Sequence, residues 1–365
     1  MRILILANID GGLYKFRKEL LEALVKEHEV FFCVPNGESV EKIQSIGCKF
    51  VECTMMQRRG TNPVKDLRLM RFYQGVLDKV KPDVVLTYTI KPNVYGGLAC
   101  RQKGIPYIAN VTGLGSSIEN GGVLSKIATT LYKMGLKGAR CVFFQNKANQ
   151  NFFTDHKLVK GKTNLIPGSG VNLAAYPFKE YPSNEGKVRF LFVGRVMKDK
   201  GIEELLAAVH TIHQEEAFTN CITVDIVGPC EENYYERLKN AEDAGEIIYH
   251  GLQTDILPFY ENCHCVVLPS YHEGTSNVLL EASATGRPVI ATTVPGCKET
   301  FVEGVTGFGC EVRNAESLAV AMKRFITTKQ EKRINMGKEA REKMKKEYDR
   351  NIVIEAYKEE LTLIS

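Results

Sequence analysis

Long hydrophobic runs are missing. None of the roughly 18 consecutive apolar residues that a membrane span needs occurs anywhere in the 365 residues. A secretory leader is missing too. The apolar run Ile3-Leu4-Ile5-Leu6 is too short for one, and Asn8 and Asp10 follow it closely. The chain is therefore expected to stay in the cytoplasm. No low-complexity tract occurs and no repeat links the two halves, which argues against a disordered or fibrous chain. A disulfide framework is not indicated either. The eleven cysteines are an odd number, scattered, and several sit in apolar runs (Cys33, Cys141, Cys265), as reduced core thiols would. Cys263-His264-Cys265 cannot close a tetrahedral metal site alone, and no second cluster follows, so no metal is expected.

What remains is an ordinary globular composition, long enough for two domains. The net charge of +5 conceals an asymmetry. Residues 1–172 hold 25 Lys and Arg against 13 Asp and Glu; the rest holds 23 against 30. A basic first half suits phosphates or an anionic membrane surface. Nothing points to a nucleic-acid partner.

Short apolar runs alternate with helical spacing throughout. In the first half the strand candidates are Arg2–Ala7, Val30–Val34, Phe50–Cys53, Val84–Tyr88, Tyr107–Val111, Val142–Gln145 and Asn164–Ile166. Helical patterns at Tyr14–Glu27, Asp66–Val80, Asn93–Lys103 and Val123–Gly138 separate most of them. Pro167–Glu185 is rich in proline and glycine and reads as a linker. A second alternation follows, with strands at Arg189–Val193, Thr223–Val227, Ile247–Tyr249, Cys265–Leu268 and Val289–Ala291. The fold class expected is α/β, two Rossmann-like doubly wound domains facing each other across a cleft. The domains are 1–172 and 186–348, with a final helix in 349–365 returning to the first. Ligands of such sheets sit at the carboxyl ends of the strands.

Three segments at those ends carry chemistry. The first strand runs into Asp10-Gly11-Gly12, adjacent glycines that let a backbone approach a ligand; no G-x-G is present there, so this is not a dinucleotide fingerprint. The second domain opens with a strand ending in Gly194-Arg195, then Lys198-Asp199-Lys200-Gly201. Arg195 can fork onto a diphosphate, and Lys200 can add a point charge. Pro269-Ser270-Tyr271-His272-Glu273-Gly274-Thr275-Ser276-Asn277 then leads from a buried strand into a helix that holds Glu281. Amides of Gly274, Thr275 and Ser276 at such a terminus, with about half a positive charge, suit phosphate. Glu281 on an apolar stretch needs partners; ribose hydroxyls or a structural arginine would serve.

The spacing of Glu273 and Glu281, with Gly194-Arg195 and Lys200-Gly201 upstream, resembles the retaining GT-B glycosyltransferases of family 4. The Gly11-Gly12 turn and Gly170-Val171-Asn172 also match, so the resemblance covers essentially the whole chain. Asn110-Val111-Thr112-Gly113-Leu114-Gly115-Ser116 and Val142-Phe143-Phe144-Gln145-Asn146 resemble bacterial capsule and glycan enzymes that extend undecaprenyl-diphosphate sugars.

The resemblance implies roles. Arg195 and Lys200 would hold the diphosphate of a UDP-sugar donor. Glu281 would take its ribose. Glu273 and Gly274 to Asn277 would grip the sugar and distal phosphate, with Gly12 closing over that phosphate. Gly251 and Leu252 would border the base. Thr112 and Gly113 lie on the acceptor side, where many family members have a histidine; this chain has none between His28 and His156. The acceptor would be a lipid-linked saccharide, reached by peripheral attachment to the cytoplasmic membrane face. No metal or other cofactor is implied, in keeping with the absence of an Asp-x-Asp between a strand and a loop.

Rival readings stay open on the sequence alone. A glycosidase needs two carboxylates about 5–9.5 Å apart, whereas eight residues of continuous helix would span about 12 Å. A nucleotide-sugar epimerase would need an acid or base in the first domain, with Asp10 and Glu119 as candidates. A non-catalytic nucleotide-sugar-binding protein would bind donor without transfer. For membrane attachment, Arg58, Arg59, Lys65, Arg68 and Arg71 form a basic stretch, and Val123–Gly138 is a basic amphipathic helix. An ordinary core-facing helix fits that second pattern as well.

Overall fold

The computed structural model describes residues 1–56, 62–113, 118, 122–183, 186–231 and 233–364. Arg58, Arg59, Leu114 to Ser116, Glu119 and Glu185 lie outside the described residues. The chain forms two compact units, residues 1–169 with 350–365 and residues 170–349.

The first unit holds seven strands: β1 (Arg2–Leu6), β2 (Glu29–Val34), β3 (Lys49–Glu52), β4 (Val84–Tyr88), β5 (Tyr107–Val111), β6 (Cys141–Phe144) and β7 (Lys162–Leu165). They pair in the order β3-β2-β1-β4-β5-β6-β7, every pair parallel. Strands β4, β5 and β6 are buried along their whole length, which is why they read as continuous apolar runs.

Helices cover both faces. Helix α1 (Asp10–Leu24) and the short α2 (Val40–Ser45) cover one; α3 (Pro63–Val80), α4 (Gly97–Lys103) and α5 (Gly122–Leu136) cover the other. A short π-turn, Pro92–Gly96, leads into α4. Asn62 caps α3 by accepting from the amides of Val64 and Lys65, and Pro63 occupies the first helical position. Helix α6 (Lys147–Asp155) is capped by Asn146.

The second unit has a six-stranded parallel sheet, β8 (Val188–Val193), β9 (Ile222–Val227), β10 (Ile248–Tyr249), β11 (Cys265–Leu268), β12 (Val289–Thr292) and β13 (Gly307–Cys310). The order is β10-β9-β8-β11-β12-β13. Its helices are α7 (Ile202–Gln214), α8 (Tyr235–Asp243), α9 (Leu257–Asn262), α10 (Asn277–Ala284), α11 (Ala315–Thr327) and α12 (Gln330–Glu347). One apolar cluster gathers both faces of this sheet.

The first unit's leading segment ends at Ser169 rather than at residue 172. The segment read as a linker is largely packed into the second unit from Gly170 onward. The wholly buried Arg287 donates to the carbonyls of Lys179 and Glu180, Tyr181 donates to the His264 carbonyl, and the Val171 amide donates to Tyr348. Its prolines and glycines hide these backbone contacts from a periodicity argument. The last helix, α13 (Arg350–Thr362), belongs to the first unit, burying Val353, Ile354, Tyr357 and Leu361 there. The Tyr357 hydroxyl accepts from Asn110, and Arg350 pairs with Glu19.

All eleven cysteines are free thiols, and nine are buried. Burial pushes the thiols of Cys48, Cys100, Cys141, Cys263 and Cys310 up to about 12, so they stay protonated. His264 accepts from the Arg189 amide, and among the described residues no group of three or more metal-ligating side chains forms.

Candidate functional site

The carboxyl edge of the second sheet gathers the charged residues singled out in the sequence. Strand β8 ends at Val193, and Gly194 follows with its amide on the Val227 carbonyl. Gly228 then takes φ +142°, and its amide donates to the Gly251 carbonyl. A methyl group on Gly228 would lie 1.9 Å from the Gly194 carbonyl oxygen, so the ends of β8 and β9 touch backbone to backbone. Gly251 thus secures this edge. Leu252 beside it is 72% exposed.

Arg195 is half-buried, with Nη1 3.1 Å from Glu231 Oε2. Lys198–Lys200 forms a single 3-10 turn closed by Gly201, and Lys200 Nζ lies 2.5 Å from Glu273 Oε1. Both members of this second pair are mostly buried. Loop contacts hold the pair in place. The Tyr271 amide and the Ser270 hydroxyl both donate to the Asp199 carbonyl. His272 Nε2 lies 3.8 Å from Asp199 Oδ2. The structure thus brings Lys200 and Glu273 into direct contact, across 73 residues of sequence.

Helix α10 follows this loop. Gly274 and Asn277 are half-buried, but Thr275 and Ser276 are buried. The Ser276 amide donates to the Gly296 carbonyl, 2.9 Å away. Of the three amides expected to suit phosphate, that of Ser276 is therefore already engaged. The reason is a second loop, Val294 to Thr300, that packs against the first. Gly296 has φ +85°, and a side chain there would meet the carbonyls of Glu273 and Gly274 at 2.5 and 2.6 Å. Its own amide is taken by Glu299.

Glu281 is buried, 5% exposed, and its Oε2 accepts from the Tyr260 hydroxyl at 3.0 Å. The tyrosine offsets part of the cost of burying this carboxylate. Burial and the neighbouring Glu281 charge hold the Tyr260 phenol well above its ordinary range, so it remains a donor.

The first-unit candidates are placed differently. Gly11 and Gly12 do not form a loop: they lie in the first turn of α1, which begins at Asp10 after Ile9. A Cβ on Gly12 would meet Ile9 Cγ2 at 3.1 Å. Glycine's weak helix preference led the sequence reading to start this helix too late. Asp10 is buried and accepts from the Ser39 amide at 2.7 Å, so it is engaged in joining α1 to the loop before α2. Thr112 and Gly113 are half-buried, directly beyond β5.

Sequence reasoning missed Glu231, Tyr260, Gly296 and Glu299. The dipeptide Pro295-Gly296, separated from the end of β12 by two residues, is a turn signal that could have flagged the last pair. Nothing in the sequence ties Tyr260 to Glu281.

Known proteins resemble the chain along its length. Residues 2–146 match the family described as "Glycosyl transferase 4-like", and residues 177–343 match "Glycosyl transferases group 1". The N,N'-diacetylbacillosaminyl-diphospho-undecaprenol alpha-1,3-N-acetylgalactosaminyltransferase of Campylobacter jejuni is 28% identical over 375 residues, covering 98% of this chain and 97% of that enzyme. The capsular polysaccharide biosynthesis glycosyltransferase CapM of Staphylococcus aureus is 29% identical over 45% of this chain and 43% of its own length.

Two solved structures share the fold. Sucrose-phosphate synthase from Thermosynechococcus elongatus has a TM-score of 0.81 at 19% identity, covering 100% of this chain and 99% of that one. Anabaena Alr3699/HepE in complex with UDP-glucose has 0.80 at 19%, covering 99% of each. The two family matches leave out only residue 1, residues 147–176 and residues 344–365. The chain is a glycosyltransferase of the GT-B fold, a member of family 4 built from a 4-like domain followed by a group 1 domain.

Proposed function

We propose that this enzyme transfers a hexose or N-acetylhexosamine from a UDP-sugar to a lipid-diphosphate-linked saccharide, with retention at the anomeric carbon, in the synthesis of a capsule or other surface polysaccharide. The observation that carries the reading is the Lys200–Glu273 pair, with Arg195 on the same sheet edge. The names of the Campylobacter relative and of CapM support a lipid-linked acceptor and a polysaccharide product. The HepE complex supports UDP as the carrier.

In this reading the bond from the anomeric carbon to the diphosphate oxygen breaks as charge builds on the departing UDP. Arg195 and Lys200 meet that charge with fixed cations. Glu273 and Gly274 to Asn277 hold the sugar, Glu281 the ribose, and Gly194, Gly251 and Leu252 border the nucleotide. Thr112 and Gly113, in the first unit, face the acceptor. The new bond forms on the same face of the sugar, and the acceptor proton passes to the leaving diphosphate oxygen. No separate base is required.

Ligand-observed NMR against a panel of UDP- and GDP-sugars tests the donor. Saturation transfer to a UDP-sugar, competed away by UDP, is expected; a response to GDP-sugars alone would overturn the choice of base. Conversion of UDP-sugar to its epimer without acceptor would favour the epimerase instead.

Peripheral membrane attachment is part of the same proposal. No helix among the described residues is long and apolar enough to cross a membrane. Helix α5 does not turn all its apolar residues to the core. Val123 is 74% and Leu124 59% exposed, and Ile127 and Met134 are exposed as well, beside Lys126, Lys133 and Lys137. The start of α3 likewise exposes Val64 and Leu67 beside Lys65, Arg68 and Arg71. Both helices pack against α4, so these faces share one helical layer. Basic charge around apolar side chains is what an anionic bilayer surface attracts. Co-sedimentation with phosphatidylglycerol vesicles is expected to fall with salt and to drop severalfold in a Lys65→Glu, Arg68→Glu, Lys126→Glu chain. Binding indifferent to salt and to those changes would refute it.

A further inference from the structure

We infer that the first unit carries its own diphosphate site, at the carboxyl end of β4, in which Lys91 and Arg17 are the cations. This rests on the reading of the acceptor as a lipid diphosphate, and it adds the residues that would hold that group. Strand β1 lies between β2 and β4, so the chain connections diverge to opposite sides there. The crevice at such a switch point is where parallel sheets place ligands.

The backbone at this point is strained. Thr89, directly after β4, has φ +69°, an unfavourable conformation for a β-branched residue. Strain of this kind collects at ligand sites. The π-turn Pro92–Gly96 follows at once, another feature frequent at functional positions.

Between these two irregularities sits Lys91. Its ammonium lies 3.0 Å from Asp66 Oδ1, and the Tyr95 hydroxyl donates to Asp66 Oδ2 at 2.9 Å. Asp66 is buried, and both its oxygens are engaged. An ammonium has three donors, so this anchor fixes Lys91 while leaving donors for a ligand.

On the other side of β4 stands Arg17, from α1. It is 5% exposed, its guanidinium lies 5.1 Å from the ring centre of Tyr88, and Tyr88 is the last residue of β4. Its Nη1 donates to the Phe16 carbonyl, and its Nε has no hydrogen-bond partner. Among the described residues no carboxylate pairs with Arg17. A buried guanidinium without an anion is costly. A helical side chain leans toward its helix's N-terminus, here the carboxyl edge of the sheet. An anion with many acceptor oxygens, bound at the end of β4, would supply the missing partner to Arg17 and use the spare donors of Lys91. A diphosphate has that chemistry.

The test titrates the full chain by calorimetry with inorganic pyrophosphate and with geranyl diphosphate, under saturating UDP so that the donor site is filled. Both probes are expected to bind, geranyl diphosphate more tightly. Lys91→Gln should weaken both at least tenfold, Lys91→Arg should restore most of the affinity, and Arg17→Lys should weaken both as well. Undiminished affinity in Lys91→Gln would overturn the site, as would pyrophosphate binding that disappears once UDP is present. Tighter binding of pyrophosphate than of geranyl diphosphate would overturn the lipid source. Thermal melts accompany each variant; should the buried Arg17→Lys melt early, Lys91→Gln decides, because the side chain it alters is partly exposed. UDP titrated alone reports on the donor reading. Its failure to bind, with pyrophosphate binding still dependent on Lys91, would count against the donor site only.

Discussion

Lys200→Ala is expected to lower turnover with a UDP-sugar donor on the order of a hundredfold, with a much smaller change in donor KM. Losing one preorganised contact to transition-state charge costs about 3 kcal/mol. Lys200 sits where that loss is felt most. Its ammonium is mostly buried and held 2.5 Å from Glu273, so it does not have to be ordered during the reaction. Alanine would remove the cation and also leave Glu273 half-buried without it, turning a neutral pair into a net negative charge beside a departing dianion. Lys200→Arg should recover little, because a planar guanidinium does not reproduce a compact point charge. Arg195 is more exposed and shares its charge with Glu231, so Arg195→Ala is expected to cost less than Lys200→Ala. Steady-state kinetics on the purified variants checks both. Unchanged kcat in Lys200→Ala would remove the electrostatic basis of the proposed mechanism.

Much of the scaffold for this chemistry was legible because parallel strands buried on both faces must be apolar throughout. Val84–Tyr88, Tyr107–Val111 and Cys265–Leu268 were read to the residue for that reason. Strand β13 was not, because Gly307-Phe308-Gly309-Cys310 has two glycines and no pattern. The six-residue helices α2 and α9 are too short for a period to emerge.

The site divides along the same line. Arg195, Lys200 and Glu273 stand next to glycines at strand ends, so their placement followed from position alone. What lies between them did not. That Ser276 gives its amide to Gly296, that Tyr260 answers Glu281, and that the supposed linker straps onto Arg287 are contacts between segments far apart in sequence. Composition and spacing describe what each segment can do by itself; they do not say which neighbour will occupy its hydrogen bonds.

Gly201→Ala is the other substitution with a large expected effect, and it acts through the backbone. Gly201 lies between the Lys198–Lys200 turn and the start of α7, at φ +72°. An L-residue there costs about 1–2 kcal/mol in conformation. Space adds a second cost. A methyl group would lie 2.0 Å from the Pro269 carbonyl oxygen, a contact with backbone that no rotamer change can relieve. Overpacking of this sort typically adds about 1–3 kcal/mol. The second unit should therefore lose roughly 2–5 kcal/mol, the sum of those two terms, and melt well below the parent chain. The Pro269 carbonyl belongs to the loop that carries Glu273, so displacement by even a few tenths of an ångström also separates Lys200 from its partner. Where the variant remains folded, its activity should fall along with its stability, while Gly245→Ala, also at positive φ but with open space around it, should lose only the conformational term. Differential scanning calorimetry on the two variants separates these cases: equal losses in both would mean that the close packing of Gly201 against the Glu273 loop contributes nothing.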